Sequence, residues 1–576
     1  MINERGIFIL FYSYHSYIMN GILIALFAIV LFLLAYKFYG TFLAEKIYQL
    51  EPDRETPAHT YEDGIEYVPT SKEVVLGHHF TSIAGAAPIV GPALAVIWGW
   101  VPALLWIVFG TILIGAVHDF GVLVTSMRNR GRSIGDYIAN ILSPGARSLM
   151  MVVTFFLLAL VGSVFAVVIA ILFELYPETV IPIWSEMVLA IIAGFAMYKY
   201  DVGSYVAGLS ALVLMFVTII IGAYYPVTIP ALIGGSVQTT WIVIVLIYGL
   251  FASMLPVWTL LQPRDFINAH ELYVLLAVFF VGLIATGLGA DVVAPAFRSS
   301  ATSGAPPFYP FLFIVIACGA ISGFHSLVAS GTTPKQIEKE EDAKAIGYGG
   351  MLLEGLLSTA AVIATVVGFT SRDAWLQHYA QWGGAAGLGA KVSGFVEGAA
   401  MLVESIGIPE FIGTTFFGVL VVSFAMTTFD TTVRLERYVI GEIGEDYGVP
   451  SISDRYIGTV LAIIVIGFLA LQSYGGAAAG LTLWPLFGAT NQILAGLALL
   501  TISVWLYKNK RPTIYTVVPM IFMIITAGSA MLYNLITNWI PNIGQAGNIS
   551  LVIIGGVVVL CTIGLIYLAI QSFRQA

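Results

Sequence analysis

Residues 77–92 read Gly77-His78-His79-Phe80-Thr81-Ser82-Ile83-Ala84-Gly85-Ala86-Ala87-Pro88-Ile89-Val90-Gly91-Pro92, and their reading decides the fold. The stretch lies in a run apolar enough to cross a membrane, yet it holds two histidines, two hydroxyls, three glycines and two prolines. Pro88 and Pro92 each remove an N–H from a helical ladder, and the glycines loosen what remains. Backbone freed at membrane depth is tolerated only where protein buries it or where it lines a cavity. The stretch therefore reads as a broken transmembrane helix whose open backbone groups would bind something small.

The surrounding chain supports a membrane setting. Its 576 residues are 59% hydrophobic and 10% charged, with mean hydropathy +0.93. That composition predicts an all-α polytopic membrane protein, since β-barrel strands would alternate in polarity. The acidic excess says little about partners, because Asp and Glu contribute little to orientation. Cys318 and Cys561 both lie in apolar runs and suggest neither a disulfide framework nor a CxxC site. No A-x-A cleavage site follows the N-terminal run, and Met19-Asn20-Gly21 makes Met19 a candidate start, with residues 1–18 ahead of it.

Apolar runs of about 20 residues are candidate spans, and the sequence holds fifteen, from 19–39 to 549–571. The segment 388–406 is rich in small residues and reads as a re-entrant or surface helix. With the loop after the first span inside, the cytoplasmic ends collect 20 of the 24 lysines and arginines, leaving Arg5, Arg298, Arg372 and Lys391 outside. A wrong span count would scramble this alternation. The N-terminus is then outside and the C-terminus cytoplasmic.

A second interruption is expected in span 238–262, which carries Pro256 mid-span, Pro263 at its end, and Ser253, Thr259 and Gln262 as polar handles. It comes five spans after the first and runs the other way. Two interrupted helices at matching positions of inverted halves point to a secondary-transporter binding site. The expected layout is an extra helix (1–40), a cytoplasmic loop (41–77), a 5+5 inverted-repeat core (78–440) and a four-helix addition (441–576). Substrate would sit between Ser82, Ala84, Gly85, Ala86, Ala87, Val90 and Gly91 on one side and Phe251, Ser253, Met254 and Trp258 on the other. Half-helix N-termini would meet an anionic group, because no lysine or arginine is expected mid-span in the core.

Ionisable residues in a bilayer are costly and functional by default. His78 and His79 either mark the interface or gate the cytoplasmic path and carry a proton. His118-Asp119 would form a relay only through separate partners, since helix neighbours point about 100° apart; the alternative is a structural contact to the broken helix. Ser322, Ser326 and Ser330 share a helix face with His325 nearby, which suits Na⁺ or simply close helix packing. Glu354 lies between Gly350 and Gly355 on a tight interior face, and Asp430 reads as a salt-bridge residue. No catalytic constellation is present, and His78, His79, His118 and His325 lack metal-ligand spacing. Neither an enzyme nor a cofactor is expected, only H⁺ or Na⁺ as coupling ion.

The runs Gly77-His78-His79-Phe80, Ser82 to Ala86, Pro88-Ile89-Val90-Gly91-Pro92, His118-Asp119-Phe120, Arg132-Ser133-Ile134-Gly135 and Trp484-Pro485-Leu486-Phe487-Gly488-Ala489-Thr490-Asn491-Gln492 resemble the carbon starvation protein A family. The resemblance spans essentially the whole chain after Met19. It implies a prokaryotic inner-membrane transporter of the amino acid–polyamine–organocation type with a LeuT-like core. Members are described as peptide transporters and some as pyruvate symporters, which makes pyruvate, amino acids and short peptides the expected partners besides the bilayer, with no nucleic acid. The competing reading is a membrane nutrient sensor that binds the same ligand without moving it; no loop is long enough for a soluble output domain.

Overall fold

The computed structural model describes residues 20–575 apart from 65, 383–387, 473–478 and 546, so residues 1–18 and any start at Met19 lie outside the described residues. The described chain is helical, with only isolated β-bridges. In chain order the main helices are α1 (Gly21–Tyr48), the bent pair α2 (Lys72–Ala84) and α3 (Ala87–Trp98), and α4 (Trp100–Met127). A short α5 (Ile134–Ile141) precedes α6 (Pro144–Leu175), α7 (Pro177–Lys199), α8 (Ser204–Tyr224), α9 (Val237–Met254) and α10 (Leu261–Gly289). Next come α11 (Phe308–Val315), α12 (Gly323–Gly331), α13 (Glu340–Val367), and the shorter α14 (Arg372–His378) and α15 (Leu388–Glu404). The chain ends with α16 (Glu410–Asp446), α17 (Arg455–Ala470), α18 (Ala479–Lys508), α19 (Ile514–Trp539) and α20 (Asn548–Arg574).

Twelve of these helices are long and apolar enough to cross a membrane, and the α2–α3 pair, bent by 45°, makes a thirteenth span. The short apolar α17 and the interrupted α11–α12 segment occupy the two remaining expected positions. α15 is not among the membrane-spanning helices. It packs against α3, α10, α13 and α16.

The first break falls where the sequence places it. Gly85 adopts φ +50°, ψ −162°, a conformation that ends α2 and that a side chain would strain. Pro88 then stands in the first turn of α3, where its missing N–H leaves no helical bond unmade.

The second break falls elsewhere. Helix α9 runs unbroken to Met254, and Pro256 lies in the turn that leads to α10 rather than inside a span. The interruption comes instead between Val315 and Gly323, inside what reads from sequence as one continuous span. Apolar residues dominate this segment and no proline lies between 311 and 333, so nothing there advertises a break.

Packing around the two breaks matches pair by pair. α3 packs on α13 while α12 packs on α4; α6 and α16 lie along each other; α9 packs on α17; α10 packs on α2 while α18 packs on α12. This matched set reaches from Lys72 to Lys508, beyond the expected limit at residue 440. The α7–α8 hairpin packs on itself and on α10. Wide i→i+5 turns occur in α4 at Thr111–Gly115 and at the start of α13, Lys344–Gly349.

Candidate functional site

Every residue from Gly77 to Ala95 is buried, so Ser82, Ala84, Gly85, Ala86, Ala87, Val90 and Gly91 all face protein. A Cβ placed on Gly85 would meet Thr428 Oγ1 of α16 at 2.5 Å and the Phe165 ring of α6 at 3.5 Å. The hydroxyls of Ser82 and Thr428 are buried and make no hydrogen bond to another protein group. Gly91 lies against the carbonyl oxygen of Val315 and the backbone of Ile316, so the two interrupted helices touch beside both breaks.

The second break is held by its neighbours' side chains. Trp106 Nε1–H donates to the Ile316 carbonyl at 3.2 Å, and the Thr111 hydroxyl donates to the Gly319 carbonyl at 3.1 Å. From α18, Asn491 accepts from the Phe324 N–H at 2.8 Å and donates to Ser322 Oγ at 2.9 Å, while Gln492 Nε2 donates to the Phe313 carbonyl at 2.6 Å. The Trp484–Gln492 motif thus serves this break.

The expected second wall does not assemble. Phe251 is 64% exposed on the outer surface. Trp258 packs on Phe195 and Tyr198 in the α9–α10 turn. Ser253 and Met254 end α9, near Ala252 and Leu255, whose carbonyls accept from the Arg434 guanidinium. Of the expected hydroxyl face, Ser322 stands before α12 in extended backbone, which leaves Ser326 and Ser330 in helical register. Ser326 Oγ donates to Gly323 O at 2.6 Å and Ser330 Oγ to Ser326 O at 2.6 Å, each within its own helix.

Two buried ionic clusters flank the broken helices. In the first, Asp119 accepts from His118 Nδ1–H at 2.6 Å and from His325 Nδ1–H at 2.9 Å. Sequence neighbours therefore do bond directly, because the imidazole bends back onto the adjacent carboxylate. His325 Nε2 approaches Glu354 Oε2 at 3.4 Å, and His79 Nδ1 lies 2.9 Å from Thr333 Oγ1 with its ring beside Gly350. In the second, His78 Nδ1–H donates to Asp265 at 2.6 Å, and Arg264 is ion-paired with Asp430. Tyr248 OH donates to the same Asp430 oxygen at 2.7 Å, and Glu186 lies 3.9 Å from Arg264. A fully buried arginine within the core was not expected from sequence. Among the described residues no group of His, Cys, Asp and Glu is arranged to hold a metal.

A cavity of about 450 Å³ lies beneath the breaks, between α5, α6, α12 and α16. Thr154, Leu158, Leu327 and Leu435 form its buried interior, and exposed Arg132, Glu445 and Arg455 stand at its rim. Leu158 and Leu435 are each seven residues from Phe165 and Thr428, about 10 Å along a helix from Gly85. Glu66 bridges Lys335 and Tyr438 at the mouth, at 2.8 and 2.6 Å. Burial pushes the Glu66 carboxyl up, but Lys335 and Tyr438 outweigh this and hold it below its usual value.

The opposite end is closed. Trp98 donates to Ser300 Oγ and the Pro306 carbonyl at 3.2 Å each and packs on Trp382. Tyr379 OH donates to the Ala93 carbonyl at 2.8 Å, and Arg298 holds the Tyr379 carbonyl.

A profile described as carbon starvation protein CstA matches residues 20–373 and 367–530. The peptide transporter CstA of Campylobacter jejuni is 32% identical over 563 residues, covering 88% of this chain and 79% of its own. The peptide transporter CstA of Bacillus subtilis is 31% identical, covering 90% and 92%. The pyruvate/proton symporter BtsT of Escherichia coli is 30% identical, covering 86% and 79%. Among solved structures, MhsT in complex with L-phenylalanine aligns with TM-score 0.49 and 13% identity, over 81% of this chain and 98% of that one. The chain belongs to the carbon starvation protein CstA family.

Proposed function

We propose that this member of the CstA family is a secondary active transporter and not an enzyme. It imports a small carboxylate such as pyruvate, or a short peptide or amino acid, coupled to H⁺ or Na⁺. The observation that carries the reading is the pair of interrupted helices in contact at Gly91 and Val315, with an open cavity on one side of them and the packed Trp98 and Tyr379 on the other. A site reached from one side at a time is what alternating access requires. The names of its relatives, peptide transporter and pyruvate/proton symporter, supply the substrate classes.

On this reading the two five-helix halves are α2–α3, α4, α6, α9 and α10, with the α7–α8 hairpin inserted, and α11–α12, α13, α16, α17 and α18. Only α19 and α20 then remain as a C-terminal addition. The cavity end, rich in Arg132, Lys335, Arg437 and Arg455, faces the cytoplasm of a bacterial inner membrane, with the N-terminus outside and the C-terminus inside. Substrate enters through the cavity, and room for it between Ser82–Gly91, Phe165 and Thr428 requires these close-packed elements to part. The cavity carries four basic and four acidic side chains, which suits zwitterions as well as carboxylates.

Proteoliposomes offered pyruvate, amino acids and di- and tripeptides under separate ΔpH and ΔNa⁺ test the reading. Accumulation of one class under one gradient is expected. No gradient-dependent accumulation of any of them overturns it.

A further inference from the structure

Among the described residues, four helices bring titratable side chains to one buried cluster. α4 supplies His118 and Asp119, α12 supplies His325, α13 supplies Glu354, and α2 supplies His79, all essentially inaccessible to solvent. Cys318, in the second break, is the further titratable group facing Glu354. His78, next to His79, is turned to Asp265 on α10. No lysine or arginine bonds to the cluster, so no fixed cation balances its carboxylates.

The hydrogen bonds settle which imidazole nitrogen carries hydrogen. A carboxylate only accepts, so His118 and His325 both present Nδ1–H to Asp119. A neutral His325 therefore has a bare lone pair at Nε2, with Glu354 Oε2 3.4 Å away and no hydrogen bond between them in this state. Neither Nε2 nor either Glu354 oxygen has another hydrogen-bond partner in the protein. With one proton present, the pair is Glu354–COOH beside Nε2, or carboxylate beside imidazolium. With none, a carboxylate faces a lone pair, and Asp119 and Glu354 leave two uncompensated negative charges in a fully buried contact. Bilayer interiors strongly disfavour that state.

We infer that Glu354 and His325 share the single proton that this chain couples to transport, with Asp119 as the positioning residue that fixes the His325 tautomer. The inference rests on the transport reading and names the coupling ion and its place. His325 lies on the second half of the second broken helix and Glu354 on its neighbour α13. Protonation draws the two together, and loss of the proton drives them apart and opens the contact. The proton enters from water on one side, binds Nε2 or the Glu354 carboxylate, and leaves to water on the other; no bond besides N–H or O–H changes. His79, beside Gly350 one turn from Glu354, is the next site toward the end of the molecule that carries the cavity.

The test compares two activities of the whole protein in proteoliposomes: counterflow of labelled substrate without a gradient, and accumulation driven by ΔpH. Glu354→Gln is expected to keep counterflow, now independent of pH, and to lose ΔpH-driven accumulation. Glu354→Asp is expected to restore accumulation, and Asp119→Asn to shift its pH profile. Thermal melting in detergent reports folding, and if Glu354→Gln does not fold, His325→Gln takes its place in the same comparison. Persistent ΔpH-driven accumulation in the folded variant overturns the inference. So does a wild-type protein driven by ΔNa⁺ alone, which leaves transport itself standing. A wild type without counterflow of any substrate overturns the transport reading beneath it.

Discussion

Gly91 of α3 and Val315 of α11 meet backbone to backbone, where a Cβ on Gly91 would press into the Val315 carbonyl. The two interrupted helices thus share a contact that only glycine permits. Gly91→Val is expected to abolish uptake and lower the melting temperature in detergent. Gly556→Ala, in a helix position with open space around it, is the matched control and should leave both unchanged.

The buried Arg264–Asp430 pair ties α10 to α16, with Tyr248 and Glu186 completing its surroundings. Removing one partner of such a pair strands the other, a loss of about 3–5 kcal/mol. Arg264→Met should therefore reduce folded protein sharply, and Arg264→Met/Asp430→Asn should recover part of it. Yield of monodisperse protein and its melting temperature measure the difference.

Ser326 and Ser330 spend their hydroxyl hydrogens on carbonyls of their own helix, and Ser330 Oγ also accepts from the Ile134 N–H at 3.0 Å. Because the inferred coupling ion is H⁺, the Ser326→Ala/Ser330→Ala protein should show an unaltered response to Na⁺, with a small loss of stability from the Ile134 contact. Uptake titrated against external Na⁺ decides whether these hydroxyls act as ligands.

Access from one side makes a labelling prediction. Both native cysteines are buried, so a cysteine introduced at Glu445, exposed at the cavity rim, should react with a membrane-impermeant maleimide from the cavity side only. One at Ala93, under Tyr379, should stay unreactive until substrate and gradient turn the molecule over. Labelling of both residues from one side at once would contradict alternating access.

The Glu66–Lys335 bridge at the cavity mouth has a pH signature. The Glu66 carboxyl lies below its unfolded value and Lys335, despite burial, lies above its own because of Glu66. The depressed carboxyl stabilises the fold above the unfolded value of about 4.3, and that part is lost as pH falls through the lower folded value. The raised lysine stabilises below about 10.4 and is lost as pH rises through its folded value. Melting temperature should plateau between the two limits, and Lys335→Met should flatten the acid limb.

The first break was legible because its chemistry is written locally in Gly85 and Pro88. The span count followed from apolar run length and the alternation of basic residues, whereas Trp484–Gln492 stood out only as a family resemblance, with no hint of the break that it serves. The second break was not legible, because Ile316–Ser322 is held open by Trp106, Thr111 and Asn491 from other helices, and no local signal reports a distant donor. Pro256 misled for the complementary reason: a proline marks a helix end as readily as a mid-span break. Arg264 reads from sequence as one of the cytoplasmic-end charges, because its partner Asp430 is 166 residues away.

The wide turns in α4 and α13 bear on angular phase. Thr111–Gly115 precedes Asp119, and Lys344–Gly349 precedes Glu354, each by about one helical turn. A wide turn holds one more residue than an α-turn, so everything after it is rotated by about 100° relative to an uninterrupted helix. Both carboxylates thus owe their inward azimuth to the wide turn upstream: regular α-turns through the same residues would swing them toward other neighbours without altering a single side chain, whereas deleting one residue from each wide turn would leave them where they are.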